Sequence, residues 1–169
     1  MKRIFDLVLS VLVLTILLTP IALVCIAIKL SSKGDILYWS DRVGKNNKIF
    51  KMPKFRSMLI NTPAVPTHLL GNADEYLSPV GDFLRRSSLD ELPQLFSIMK
   101  GDMSFIGPRP ALFNQEDLIA LREEEGVDKL LPGITGWAQV NGRDNLSIAE
   151  KVTLDVQYLN NQSFFLDVK

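Results

Sequence analysis

Two adjacent carboxylates, Asp90 and Glu91, are the residues best suited to chemistry in this chain of 169 residues. They precede a run of apolar side chains that predicts a packed helix, with Asp90 as its N-cap and Gly101 at its end. Pro93 then falls at the third helical position, where its missing N–H has no cost. Simple capping is the alternative role for such a pair. A packed helix would instead hold both acids in a fixed place, at the positive end of the helix dipole.

An arginine between two prolines, Arg109, follows this helix. Gly107 and Arg109 both precede proline, so both are biased toward extended backbone. The segment is predicted to be stiff and to present one guanidinium, a group that binds phosphate oxygens bidentately. Two acids and a fixed arginine suit phosphoryl transfer, because Mg²⁺ prefers carboxylates plus substrate phosphates and a carboxylate can itself attack phosphorus. The sequence has no G-x-x-x-x-G-K-[ST] motif, which argues against a P-loop ATPase.

The composition excludes several other kinds of site. Basic and acidic residues both number 19, so the chain is formally neutral and no nucleic-acid partner is predicted. Cys25 is the only cysteine and His68 the only histidine, which excludes an internal disulfide, a cysteine metal cluster and a paired-histidine zinc site. The length fits one domain, and an apolar content of 47% is too high for a disordered chain.

The N-terminus carries a membrane segment. The 22 residues from Leu7 to Ile28 have no charge, and as a helix they would reach about 33 Å, enough to cross a hydrocarbon core of about 30 Å. A cleaved signal peptide is disfavoured by the length of the run and the lack of an A-x-A-like site after it. A spanning helix and a re-entrant helix both remain. Basic residues on both sides and the internal Pro20 suit the re-entrant form, with the Thr19 hydroxyl available to a freed carbonyl.

The remaining segments predict an α+β fold, predominantly helical with short strands. Residues 36–40 predict a strand, and residues 61–79, which include His68, predict a loop. Residues 131–143 predict loop with a short strand. Helices are predicted from near Val80, over 112–126 with Gly126 as the cap, and from Ser147, where Ser147 and Glu150 form a capping-box pattern.

Lysines recur at every third residue after the predicted strand, at Lys45, Lys48, Lys51 and Lys54. A solvated face is the ordinary interpretation of such a series. Next to a membrane segment, the same cluster can also bind anionic headgroups or substrate phosphates.

Four separated segments, taken in order, resemble the bacterial sugar transferases, the monotopic phosphoglycosyl transferases that begin glycan assembly on polyprenol phosphate. These segments are Lys54–Met58, Ser88–Leu95, Lys100–Pro110 and Pro132–Arg143. The match runs nearly end to end. It resembles the small members of the family, which consist of little more than the catalytic domain and its membrane anchor.

The resemblance implies a reaction. A sugar-1-phosphate would pass from a UDP-sugar to undecaprenyl phosphate, releasing UMP and forming undecaprenyl-diphosphate-sugar, the first membrane step of glycan assembly. Asp90 would be the nucleophile that carries a covalent phosphosugar, and Glu91 together with Asp90 would hold Mg²⁺. Direct transfer in one ternary complex and a non-catalytic membrane-bound scaffold are the alternatives. No motif in the sequence distinguishes a hexose from an acetamido sugar.

The resemblance also assigns roles to further residues by position in its motifs. The residues expected to bind substrate phosphate are Arg109, Lys54 and Arg56. The residues expected to bind the nucleotide or support the site are Arg143, Asp155 and Gln139.

The family architecture implies two parts. Residues 1–30 are expected to form a re-entrant membrane helix broken at Thr19-Pro20, where the family has Ser-Pro, and residues 31–169 a compact catalytic domain. The protein is expected to be monotopic, on the cytoplasmic face of the bacterial inner membrane, with the phospholipid bilayer as a partner. A homodimer is one of the oligomeric states left open.

Overall fold

The computed structural model describes residues 2–63 and 73–168. Within them the fold is α+β, more than half helical with short strands, as the sequence predicts. The helices are α1 (Lys2–Ile16), α2 (Leu18–Ser31), α3 (Gly81–Arg86), α4 (Gln94–Lys100), α5 (Glu116–Glu124), α6 (Trp137–Val140), α7 (Ile148–Asn161) and α8 (Phe164–Val168). The strands are β1 (Leu37–Val43), β2 (Ile49–Phe55), β3 (Ser104–Ile106) and β4 (Gly133–Thr135). His68 and the middle of the predicted loop at 61–79, residues 64–72, lie outside the described residues.

The apolar N-terminus forms two helices, α1 and α2, that meet at a bend of 64°. Leu17 lies between them. Pro20 explains the bend, because it has no N–H for the carbonyl of Ile16 and its ring crowds that carbonyl. The break therefore falls shortly before the Thr19-Pro20 pair at which the sequence placed it. No single helix among the described residues is long and apolar enough to cross a membrane, whereas the bent pair together meets that criterion.

One face of this helix pair packs against the rest of the protein. Val24 and Ile28 of α2 join Phe55 and Leu84 in one hydrophobic cluster. A second cluster, under α1, consists of Met52, Leu95, Ile98 and Met103, with Val13 and Leu14 packed against it. The opposite face stays open, and its apolar side chains that are more than half exposed are Ile4, Val8, Val11, Leu12, Ile16, Leu18, Leu23, Ile26 and Leu30.

The charged residues of α1 are bound by the protein rather than left free. Asp6 is buried, and its carboxylate accepts a hydrogen bond from the Ser104 hydroxyl at 2.8 Å. The Arg3 guanidinium donates to the carbonyl of Met99, at the end of α4, at 2.7 Å. Lys2 Nζ lies 2.6 Å from the Asp167 carboxylate on α8. These contacts fix the start of the helix pair to the core.

Two small sheets carry the site. Strands β1 and β2 form an antiparallel hairpin in which Tyr38 pairs with Lys54 and Arg42 with Phe50. Side chains alternate along a strand, so Arg42 and Lys54 lie on the same face of this hairpin while Lys51 lies on the other. The lysine series is therefore not one surface. Strands β3 and β4 pair in parallel, with Ser104 opposite Gly133.

Several local predictions about the helices are confirmed. Ser147 and Glu150 form the predicted capping box at the start of α7. Gly101 directly follows α4, and Gly126 follows α5 after one intervening residue. Both adopt left-handed backbone, with φ of 101° and 73°. Helix α5 begins at Glu116, later than the predicted residue 112. The segment 131–143 contains the predicted short strand and also the one-turn helix α6.

Candidate functional site

Asp90 and Glu91 lie together in a single 3-10 turn that precedes α4. Ser88 enters this turn with left-handed backbone at φ 56°, a conformation uncommon for residues other than glycine. Its carbonyl accepts a hydrogen bond from the Glu91 amide at 3.2 Å. The left-handed backbone of Ser88 and the turn that follows it place Asp90 and Glu91 next to strand β2. The two acids are therefore not part of helix α4.

The prediction that Asp90 is the N-cap of the following helix is wrong. Helix α4 begins at Gln94, with Pro93 in the capping position, and no side chain caps it. Pro93 ends the hydrogen bonding of the first turn because it has no N–H, and the chain then restarts as an α-helix. The predicted packing is correct, since Leu95 and Ile98 of α4 are buried. The acids are thus fixed by a turn that stands on a packed helix.

One oxygen of Glu91 binds two cations. Oε1 accepts a hydrogen bond from Lys54 Nζ at 2.8 Å and from Arg109 Nη2 at 3.2 Å. The side chains of Lys54 and Glu91 are only 17% and 16% exposed. Burial alone would raise the pKa of Glu91, but the charges and hydrogen bonds of Lys54 and Arg109 outweigh it and lower that pKa to about 2. Glu91 is therefore ionised across the whole physiological pH range.

Asp90 has the opposite environment. It is buried, and its carboxylate accepts no hydrogen bond from another side chain within residues 2–63 and 73–168. Burial raises the pKa of Asp90, the charge of Lys54 opposes that rise, and the negative charge of Glu91 adds to it. The main-chain N–H of Asp90 itself donates to its carboxylate. A buried carboxylate outside an ion pair is a more reactive base and nucleophile than one held in an ion pair. Asp90 is the less stabilised anion of the two.

The segment Gly107–Pro110, here called the arginine strap, presents Arg109 to Glu91. Its first residue continues the parallel pairing, since the Gly107 amide donates to the Thr135 carbonyl at 2.9 Å. The Gly133 amide donates to the Pro108 carbonyl at 2.9 Å. A Cβ at Gly133 would lie 2.2 Å from the Gly107 nitrogen, so only glycine permits this approach. The segment displays one guanidinium, as the sequence predicts, and its predicted stiffness stays a prediction.

Two arginines that were not among the predicted site residues, Arg122 and Arg42, donate hydrogen bonds to main-chain carbonyls of the arginine strap. Arg122 Nη1 donates to the Arg109 carbonyl at 2.8 Å, and Arg42 Nη1 donates to the Pro110 carbonyl at 3.1 Å. Burial and the nearby charge of Arg109 lower the pKa of Arg42 to about 10. Arg42 lies on the same face of the hairpin as Lys54. The alternation of side chains along a strand was the sequence feature that could have identified Arg42 as a site residue. No local pattern marks Arg122.

The other predicted site residues lie in different places. The Asp155 carboxylate is buried and binds Arg122, which in turn donates to the Arg109 carbonyl of the arginine strap. Arg56 is also buried, and its guanidinium donates to the carbonyls of Ser32 and Lys33 at 3.1 and 2.6 Å, away from the acids. The terminal amide of Gln139 is buried and has no partner among the described residues. Arg143 is exposed, in a 3-10 turn with left-handed backbone.

The acidic pair fits Mg²⁺ as its predicted metal. Among residues 2–63 and 73–168, no group of three or more metal-binding side chains comes together. Asp90 and Glu91 supply two adjacent carboxylates, and only Oε1 of Glu91 is used by the two cations. Mg²⁺ in phosphoryl-transfer sites is commonly held by one or two carboxylates plus substrate phosphates rather than by a full protein cage.

Comparison with known proteins identifies one matching family and several similar proteins. The family model described as bacterial sugar transferase matches residues 1–169. The chain is 39% identical over 185 residues to the undecaprenyl-phosphate glucose phosphotransferase of Komagataeibacter xylinus, covering 99% of the chain and 34% of that protein. It is 40% identical over 177 residues to the UDP-glucose:undecaprenyl-phosphate glucose-1-phosphate transferase of Escherichia coli (strain K12), covering 100% of the chain and 38% of that protein.

A third relative matches over most of its own length. The chain is 39% identical over 186 residues to the exopolysaccharide production protein ExoY of Rhizobium meliloti (strain 1021), covering 99% of the chain and 80% of that protein. The chain thus spans about a third of the length of the first two relatives and four fifths of the third.

Proposed function

The chain belongs to the bacterial sugar transferase family, and we propose that it transfers a sugar-1-phosphate from a UDP-sugar to undecaprenyl phosphate. The products are UMP and undecaprenyl-diphosphate-sugar. The names of the relatives, which transfer glucose phosphate to the same lipid phosphate, support this reaction class. The observation that carries the proposal is the pair of adjacent acids. Glu91 is bound by Lys54 and Arg109, whereas Asp90 is buried and forms no ion pair within the described part of the chain.

The contrast between the two acids gives each a separate task. Glu91 is a permanent anion that orders Lys54 and Arg109 around one point. Both cations can bind phosphate oxygens, so the same point is suited to the diphosphate of a nucleotide sugar. Asp90, one residue earlier in the same turn, is the acid free to react with the phosphorus held there.

We assign a two-step transfer to this arrangement. In the first step an oxygen of Asp90 attacks the sugar-linked phosphorus, the bond from that phosphorus to the bridging oxygen breaks, and UMP leaves with the bond electrons. The product is a sugar phosphate joined to Asp90 as an acyl phosphate. In the second step an oxygen of undecaprenyl phosphate attacks the same phosphorus, and Asp90 is released as a carboxylate. Neither leaving group needs a proton, so no histidine or other general base is required.

Repulsion between anions is the main barrier to both steps. Lys54 and Arg109 would offset the negative charge of the phosphates, which in phosphoryl transfer is the larger part of catalysis. Mg²⁺ held by Asp90 and Glu91 would supply further neutralisation of the phosphate oxygens. The lipid phosphate, with a second pKa near 6, is already largely a dianion at neutral pH.

Helices α1 and α2 are proposed to enter the bilayer and return to the same face. The axes of the two helices differ by 64° at Leu17, so the pair does not form one straight helix. Their outward side chains are apolar and exposed. Trp39 and Tyr38, which follow α2 on β1, are about half exposed and are the residue types found at membrane interfaces. We place the site on the cytoplasmic face of the bacterial inner membrane, where nucleotide sugars are available.

An assay of UMP release tests the proposal. Purified protein is incubated with Mg²⁺, undecaprenyl phosphate and each member of a panel of UDP-sugars. At least one donor is expected to give UMP and an equal amount of lipid-linked sugar diphosphate. The exposed pair Arg86 and Asp82 provides a control, since Arg86→Gln lies outside the site and is expected to retain activity. Absence of UMP with every donor would contradict the proposal.

A further inference from the structure

The arginine strap has few main-chain hydrogen-bond donors, because two of its four residues are prolines. Pro108 and Pro110 have no N–H, so the carbonyls are the main groups by which this part of the backbone can be held. Each of three consecutive carbonyls is bound by a different part of the protein. The Pro108 carbonyl accepts from the Gly133 amide, the Arg109 carbonyl from Arg122, and the Pro110 carbonyl from Arg42.

The hold on Arg109 itself is made by a buried ion pair. Arg122 comes from α5 and Asp155 from α7, and their side chains are only 11% and 2% exposed. Arg122 Nε and Nη2 donate to one oxygen of Asp155 at 3.0 and 2.7 Å. This leaves Nη1 directed at the Arg109 carbonyl, 2.8 Å away. A guanidinium is rigid and planar, so fixing two of its nitrogens also fixes the third.

We propose that Arg122, oriented by Asp155, is a positioning residue that sets where the Arg109 guanidinium stands relative to Glu91. The inference rests on the proposed function, in which Arg109 binds substrate phosphate. The main chain of Arg109 is held on one side by Arg122, while its side chain reaches Glu91 on the other at 3.2 Å. In this role neither Arg122 nor Asp155 needs to touch the substrate. Asp155 acts on the site through Arg122 and then through Arg109.

A double-mutant cycle tests this assignment. Arg122→Gln is expected to lower kcat/KM about 10- to 100-fold, the effect of a small displacement of a substrate-binding group. In an Arg109→Ala background the same change is expected to lower the remaining kcat/KM less than about twofold, because there is no longer a guanidinium to position. Asp155→Asn should follow the same pattern. Arg122→Lys, which keeps the charge, should recover part of the loss. Equal losses in both backgrounds would overturn the proposal.

Hydrogen exchange supplies a readout that does not depend on catalysis. In Arg122→Gln the amides of Gly107, Arg109, Ala111 and Leu112 are expected to exchange faster than in the unchanged protein, while the core of α4 keeps its protection. Arg86→Gln, a change to an exposed arginine with its own ion pair, is the matched control and should leave the strap unchanged. Unchanged exchange of the strap in Arg122→Gln would reject the positioning role, even if the transferase activity were established. Faster exchange in a chain that releases no UMP would instead reject only the proposed function.

Discussion

Asp90 and Glu91 are consecutive residues of one turn, and their surroundings shift their pKa values in opposite directions. Lys54 and Arg109 bind Glu91 and lower its pKa to about 2, whereas burial raises the pKa of Asp90. The sequence offers two acids of nearly the same kind, and the fold pairs one with two cations and buries the other outside any ion pair of the described residues. Pairs of titratable groups driven apart in this way are typical of catalytic sites.

The first prediction is that replacing these two acids changes stability with opposite signs. Glu91 has a depressed pKa in the folded protein, so its contribution is fully present above the unfolded value near 4.5 and is lost as pH falls through about 2. Glu91→Gln should therefore destabilise the protein at pH 7, by on the order of 2 kcal/mol. Asp90 has a raised pKa, so its ionised form is unfavourable in the folded state. Asp90→Asn should leave thermal stability at pH 7 unchanged or higher.

Thermal unfolding at pH 7 and pH 4 separates the two effects. The stability gained in Asp90→Asn should shrink as pH falls through the raised pKa, because Asp90 itself becomes neutral. A marked loss of stability in Asp90→Asn at pH 7 would mean that the carboxylate has a stabilising partner, and would contradict the contrast between the two acids.

The second prediction compares two lysines of the same strand. Lys54 is buried against Glu91, while Lys51 is 71% exposed and pairs with Asp41 at the surface. Lys54→Met should lower kcat/KM about 10- to 100-fold, because it removes a charge that orders the site and neutralises phosphate. Lys51→Met should change kcat/KM less than about twofold, as exposed ion pairs contribute little. Similar losses in both variants would show that diffuse charge, rather than the contact to Glu91, is what matters.

The third prediction concerns Arg56, to which the family resemblance assigns phosphate binding. Its guanidinium is buried against the main chain of residues 32 and 33, and it joins β2 to the end of α2. Arg56→Met is therefore expected to lower the midpoint of thermal unfolding, because the two carbonyls lose their donors. The KM for the UDP-sugar, measured on the folded fraction, should stay within about threefold of the original value. A large rise in KM with unchanged unfolding would restore the phosphate-binding role.

The fourth prediction concerns the helix pair. In a Cys25→Ser background, single cysteines are introduced in an extension before Met1, at Lys29 and at Val140, which is 68% exposed in the catalytic part. All three should react with a membrane-impermeant maleimide in inside-out vesicles and none in intact cells, because a re-entrant pair begins and ends on one face. Reaction of the extension and of Lys29→Cys from opposite sides would show a spanning helix instead.

Local rules were sufficient to predict part of this structure. The capping box at Ser147, the glycine after α4 at Gly101 and the stiff proline-flanked arginine each depend on residues close together in the chain. The acidic pair was also visible, because the two carboxylates are adjacent in the chain and directly precede an apolar run. The start of α4 was misplaced because Ser88 adopts left-handed backbone, which lets a separate turn form first.

Contacts between distant residues could not be predicted in this way. Lys54 and Glu91 are 37 residues apart, and Arg122 and Asp155 are 33 apart. No periodicity connects such pairs, because they meet only when the hairpin, the strap and helices α5 and α7 have packed. Asp155 was assigned to the site by resemblance, but its ion pair with Arg122, on which its proposed positioning role rests, required the structure.

In the proposed two-step transfer, Asp90 carries the sugar phosphate as a covalent intermediate. The most direct measurement is mass spectrometry of the protein after incubation with Mg²⁺ and a UDP-sugar, without undecaprenyl phosphate. We expect UMP release limited to one equivalent, a mass increase equal to one sugar phosphate, and a modified peptide that contains Asp90. In Asp90→Asn both the adduct and the UMP should be absent. UMP release that requires the lipid acceptor, with no adduct on Asp90, would contradict the covalent intermediate and establish direct transfer.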